Sequence, residues 1–149
     1  MKVAAAGMAI SAPRGWDVRI YQRPAQDPGS VTEPVLHAAN FPLPVRRADY
    51  GGGVVEKMGP RNIFVAVLQF GRAAAATALF DRPRPKSLLV ESFGPDRLQR
   101  VIPGQGGAQF FFSEHGRAFC MYVVIGSYRD RATLVPTASD VAQTLEINS

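Results

Sequence analysis

The chain predicts an α+β domain: a central, mostly antiparallel β-sheet flanked by a few short helices, one of them C-terminal. Three stretches carry that expectation. Residues 109–128, QFFFSEHGRAFCMYVVIGSY, read as a long β-hairpin. Residues 62–70, NIFVAVLQF, form a nearly continuous apolar run of strand length. Residues 137–147, TASDVAQTLEI, place Val141 and Leu145 at helical spacing.

The N-terminal MKVAAAGMAI has one lysine and a short alanine-rich run. SAPRGW follows at once without a convincing cleavage site, so the segment is expected to lead into the first strand and not to act as a secretory signal. Residues 8–23 fit a strand, a Pro-Arg-Gly turn and a second strand. Trp16, Val18 and Ile20 share one face there and Asp17, Arg19 and Tyr21 the other. Residues 24–30 carry turn chemistry, and residues 34–41 suit a strand pairing back.

In the middle of the chain, Asp49 is placed to cap a short helix over residues 52–58, stopped by Gly59 and Pro60. The triple glycine at residues 51–53 weakens any helix there by about 1 kcal/mol per residue relative to alanine. It matches neither a phosphate loop, which needs Gly-Lys-Ser/Thr, nor the spaced glycines of a dinucleotide site. RAAAATALF suits one or two helical turns, DRPRPK a surface loop, and SLLVESF a short strand near an edge. GPDRLQRVI fits a helical turn or a strand lead-in before the PGQGG turn. RDRATLVP is expected as a loop, with Thr137 or Ser139 capping the final helix. Nothing marks a second domain, so the 149 residues are expected to form one.

Within the hairpin, a turn at His115 and Gly116 sets Glu114 opposite Arg117, Phe112 opposite Phe119, Phe111 opposite Cys120 and Phe110 opposite Met121. Phe110, Phe112, Phe119, Met121, Val123 and Ile125 then share a core-facing stripe. The same register separates His115 from Cys120 by roughly 16 Å at about 3.3 Å per residue. A nucleophile and its base need about 3 Å, so they are not a dyad. Cys120 is expected to behave as a small buried hydrophobe, with an encounter with His37 left open. Two histidines and one cysteine make a poor metal kit. Asp17, Glu33, Asp49, Glu56 and Glu91 show no paired-carboxylate spacing, and no serine sits in a nucleophile-elbow context. No catalytic residue, metal ligand or cofactor is expected, and the chain leans away from catalysis.

The net charge of +5 rests on 14 Arg and 3 Lys, dispersed and mixed with aspartates. Such dispersal is not a nucleic-acid footprint, and a GC-rich genome would give the same arginine bias. Nucleic acid is therefore not the expected partner; were it one, a basic stripe would join Arg46, Arg47, Arg129 and Arg131. No stretch approaches the roughly 20 apolar residues of a membrane span. A single cysteine and no leader make the cytoplasm the expected compartment.

ISAPRGWDV, GRAFCMYVVIGSY and TASDVAQTLEI together resemble the PsbP-like superfamily, to which the Ran-binding Mog protein and several bacterial lipoproteins and secretion chaperones belong. They look like its opening strand, turn and tryptophan, its long late central strand, and its closing helix. About a third of the chain is covered, and YGGGVVEKMGP and AAAATALF have no counterpart. The resemblance implies a central antiparallel sheet flanked by helices. It also implies adaptor, chaperone-like or assembly work without catalysis, and it transfers no functional residue.

The expected function is thus a non-catalytic protein-binding or adaptor module acting through a sheet face or end loops, with another protein or a second copy as partner. The second hairpin face, with Phe111, Cys120, Tyr122 and Val124, is unusually apolar for water. Either helices cover it or a partner does. Phe111, Tyr122, Val124, Arg129 and Arg131 are the candidate partner-binding residues. The alternative is a small-molecule-binding protein or enzyme, with a pocket between sheet and helices where His37, Asn40 and Arg117 converge.

Overall fold

The computed structural model describes residues 1–23, 32–45 and 53–148. The expected loop over residues 24–30, the Asp49 cap and Arg46 and Arg47 lie outside the described residues. The described residues form eight strands and one α-helix, in the order β1 Lys2–Ala5, β2 Met8–Ser11, β3 Asp17–Gln22, β4 Pro34–Ala39, β5 Ile63–Phe70, β6 Gly106–Glu114, β7 Arg117–Ile125, α1 Arg131–Ala142 and β8 Glu146–Ile147. Five strands form the central sheet in the order β3-β4-β5-β7-β6, and β1-β2-β8 form a smaller one. Every pairing is antiparallel. The α+β class with a central antiparallel sheet is as the sequence predicts.

The hairpin forms in the expected register, from Glu114 opposite Arg117 to Phe110 opposite Met121. His115 and Gly116 both take positive φ, 54° and 74°, as a two-residue primed turn requires. A second such turn, at Ala6 and Gly7 (φ 52° and 80°), closes a β1–β2 hairpin that the alanine-rich start did not advertise. β5 is buried along its length, pairing with β4 on one side and β7 on the other.

One face of the large sheet packs against α1 and the small sheet. Val65, Val67, Phe112, Phe119, Met121, Val123 and Ile125 meet Met8, Ile10, Leu134, Val135, Ala138 and Val141 there. Trp16 packs half-buried against this core, as its strand face predicts. Among the described residues the other face is covered without any α-helix. Phe41, Leu43, the 3-10 turn Val55–Lys57, Met58, Leu98 and Ile102 close over Tyr21, Phe64, Ala66, Tyr122 and Val124.

Two elements differ from expectation. SLLVESF is not a strand: Leu88 donates its N–H to Ser139 Oγ at 2.9 Å, and Val90–Ser92 is a 3-10 turn. α1 begins at Arg131, so most of the expected loop is helix and Pro136 lies inside it. Burial explains this, because Leu134, Val135, Ala138, Val141 and Ala142 form one buried stripe starting before the proline. Ser139, expected as a cap, serves Leu88 instead, while Thr137 Oγ1 donates to the Thr133 carbonyl at 3.4 Å.

At the end of β7 the backbone runs so close to its neighbour that a Cβ on Gly126 would stand 1.8 Å from the Gly59 carbonyl oxygen. Both partners are backbone, and Gly126 also donates its N–H to the Asn62 carbonyl at 2.8 Å. Gly126→Ala should therefore lower stability in urea titration by about 1–3 kcal/mol, the range of overpacked sites.

Candidate functional site

The covered face settles where two of the expected partner-binding residues lie. Tyr122 is 6% exposed and Val124 1%, both beneath the chain's own loops and turns. Neither is surface for a partner in this structure. The irregular segments 41–45, 53–58 and 94–102 supply cover there, in place of the helices or the partner that the sequence left as alternatives. Phe111 is half-buried, with its ring edge-on to Phe80 at 5.6 Å. Arg129 is exposed, its Nε 3.8 Å from Asp130, and Arg131 stacks over Tyr128 at 4.3 Å. Phe111 stands opposite Cys120, whereas both arginines follow the far end of β7. That separation is at least five strand residues, roughly 17 Å, so the three do not form one patch.

The residues with reactive or polar side chains singled out in the sequence are also dispersed. His37 is fully buried in β4, edge-on to Tyr21 at 5.4 Å and Phe64 at 5.1 Å, and its Nδ1 accepts from Arg19 Nε at 3.2 Å. His37 aligns with Ala66 and Tyr122, while Cys120 aligns with Leu68 and Val35. The two are thus two strands and two residues apart, roughly 12 Å at ordinary sheet spacing. Asn40 Oδ1 accepts from the Ile63 N–H at 2.8 Å at one end of the sheet. Arg117 donates to the Asn148 carbonyl at the other. The pocket anticipated among His37, Asn40 and Arg117 does not form. Among the described residues no group of three or more His, Cys, Asp or Glu is placed to hold a metal.

What the structure does present is an incompletely paired sheet edge. With Glu114 facing Arg117 across the two-residue turn, the even-numbered residues of β6 bond to β7 and the odd-numbered ones point their N–H and C=O outward. At one end Gly107 exchanges both bonds with Gly94, at 2.9 and 3.1 Å. At the other, Ser113 donates its N–H to the Arg82 carbonyl at 3.1 Å and its hydroxyl to the Phe80 carbonyl at 2.8 Å. Between them Gln109 and Phe111 have no backbone partner on that side among the described residues. The chain leaves the edge after Arg82, passes Leu88 over α1, and returns at Gly94. Gly107 and Ser113 are six residues apart, roughly 20 Å, so the gap between the two obstructions admits about three residues of extended chain. Half-buried Phe110 and Phe111 flank it on the two faces. Exposed Leu89 lies on the segment that leaves this edge after Arg82 and returns at Gly94, and exposed Leu79 and Val101 flank that segment in the chain.

Beside the gap lies a cavity of about 210 Å3 lined by Gly53, Val55, Glu56, Gln99, Arg100, Gln109 and Tyr122. Gln109 and Tyr122, paired across β6 and β7, belong to both sheet and cavity. Glu56 and Arg100 close its rim with an ion pair of 2.7 Å, and Gln105 Nε2 ties the Val55 carbonyl to the start of β6 at 2.6 Å. Sequence reasoning missed Gln109, Glu56 and Arg100, which are far apart in the chain and show no periodic signal.

No protein-family model, curated protein or solved structure matches this chain.

Burial sets the state of the one cysteine. Desolvation pushes the Cys120 thiol up from 9.0 to about 12, so it stays protonated and inert in the fold. Native protein should react with a disulfide reagent at pH 8 only through unfolding, and denaturant should release the full reaction. Because the folded pKa is raised, Cys120 has no effect below pH 9, and its share of stability is lost between pH 9 and 12, where the unfolded thiol ionises first. Cys120→Ser should flatten that alkaline decline in urea titrations.

Proposed function

We propose that this chain is a non-catalytic protein-binding module that captures a short extended segment of another polypeptide by adding it to the β6 edge. The observation that carries this proposal is the pair of outward-facing backbones at Gln109 and Phe111, held open between Gly94 and Arg82. Unpaired edge groups are a template for a further strand, and main-chain bonds supply much of the affinity in such complexes. Phe110 and Phe111 give the docked segment apolar flanks on both sides of the sheet.

A heterologous segment suits the gap better than a second copy. The β6 edge of a copy would carry the same two obstructions, so two such edges could not lie along one another. The resemblance to PsbP-like proteins, mostly adaptors, chaperones and assembly factors, favours the same class of work. Under this proposal the module acts in the cytoplasm, where a buried single thiol has no disulfide partner to find.

The test is selection of random linear peptides displayed on phage against the purified protein. Selected peptides should shift the amide signals of Gln109 and Phe111 in two-dimensional NMR. Gln109→Pro removes an outward N–H without breaking the β6–β7 ladder, an edge position where proline is tolerated. It should weaken those peptides at least tenfold with the unfolding midpoint retained, while Gln109→Ala, which keeps the N–H, weakens them less. Failure to recover peptides, or peptides that shift other residues and ignore Gln109→Pro, would overturn the proposal.

A further inference from the structure

We infer that the cavity beside the β6 edge reads one side chain of the docked segment and selects a carboxamide, asparagine or glutamine; this rests on the strand-addition proposal above. Successive strand side chains alternate between faces, and cross-strand neighbours on one face stand about 5 Å apart. The residue docked opposite Gln109 therefore projects on the same face as Gln109, toward the space that Gln109 and Tyr122 line.

The lining decides what fits there. Glu56 and Arg100 neutralise one another across the rim at 2.7 Å. A carboxylate entering the cavity meets Glu56 and an ammonium meets Arg100, so neither charge is favoured. The amides of Gln99 and Gln109 offer both donors and acceptors, as does a carboxamide. An aliphatic side chain would displace water from the half-buried Gln109 amide and return no hydrogen bond to it. About 210 Å3 is the liquid volume of about seven waters, room for either amide side chain. Sites built on hydrogen-bonding groups reject isosteres that lack them far more strongly than apolar pockets reject a methylene.

The test takes a peptide that shifts Gln109 and Phe111 and fixes its register by nuclear Overhauser contacts. The residue opposite Gln109 is then replaced in turn by Gln, Asn, Glu, Lys, Leu and Ala, and each peptide is titrated calorimetrically. Gln or Asn should bind at least tenfold more tightly than Leu and more tightly than Glu or Lys. The preference over Leu should collapse in the Gln99→Leu variant, and the discrimination against Glu and Lys in the Glu56→Ala/Arg100→Ala double variant, while the edge shifts persist. Equal binding of Leu, or a preference for a charged residue, with the edge shifts intact would overturn the carboxamide assignment and leave strand addition standing. Absence of shifts at Gln109 and Phe111 with every peptide would overturn both.

Discussion

Burial of β5 and β7 on both faces is the constraint from which the rest of the architecture follows. Val65, Val67, Met121 and Val123 point to one side, and Phe64, Ala66, Leu68, Cys120 and Val124 to the other, all nearly solvent-free. Each buried aliphatic side chain contributes about 1.5–3 kcal/mol, so neither face can be left to water. One α-helix and the small sheet cover the first face. Irregular chain must cover the second, and irregular chain brings backbone N–H and C=O groups that need partners of their own.

Those partners are found at the sheet edge and through a few long polar side chains. Gly94 and Arg82 pair with β6, anchoring the two ends of the segment that crosses from one face to the other. Arg84 makes a two-point contact with Glu114, at 3.0 and 2.5 Å, and also donates to the Leu145 carbonyl at 2.5 Å, joining that segment to the hairpin tip and the chain's end. The pair is about three-quarters removed from solvent, so it is screened less than an exposed ion pair, and its fork geometry fixes the loop's position as well as its charge. The open stretch at Gln109 and Phe111 is thus the remainder of an edge whose two ends the covering segment has used.

Legibility in the sequence followed periodicity. The hairpin register was readable because His115 and Gly116 supply turn chemistry and the flanking residues alternate. β5 was readable because a continuous apolar run of that length has few other uses. The start of α1 was not, because Pro136 breaks the local propensity for helix, and only the buried stripe from Leu134 onward outweighs it. The cover over Tyr122 was hidden for a related reason. Val54, Val55, Met58, Leu98 and Ile102 are apolar residues in turns with no period, so their destination depends on tertiary contacts alone. Phe111 was the one expected partner-binding residue that lies on the candidate edge. Gln109 and its cavity depend on where residues 82, 94 and 100 return, which no local pattern encodes.

The stretch of the β6 edge left open at Gln109 and Phe111 is a narrow binding feature, and its openness is directly measurable. Native-state amide hydrogen exchange followed by NMR separates the two sides of β6, because alternate N–H groups either join the β7 ladder or face outward. Phe110 and Phe112 should exchange only through global unfolding, with protection near the full stability of the domain. Gln109 and Phe111 should exchange orders of magnitude faster. Equal protection at all four amides would mean that the edge is covered in solution, and would contradict the account at its centre.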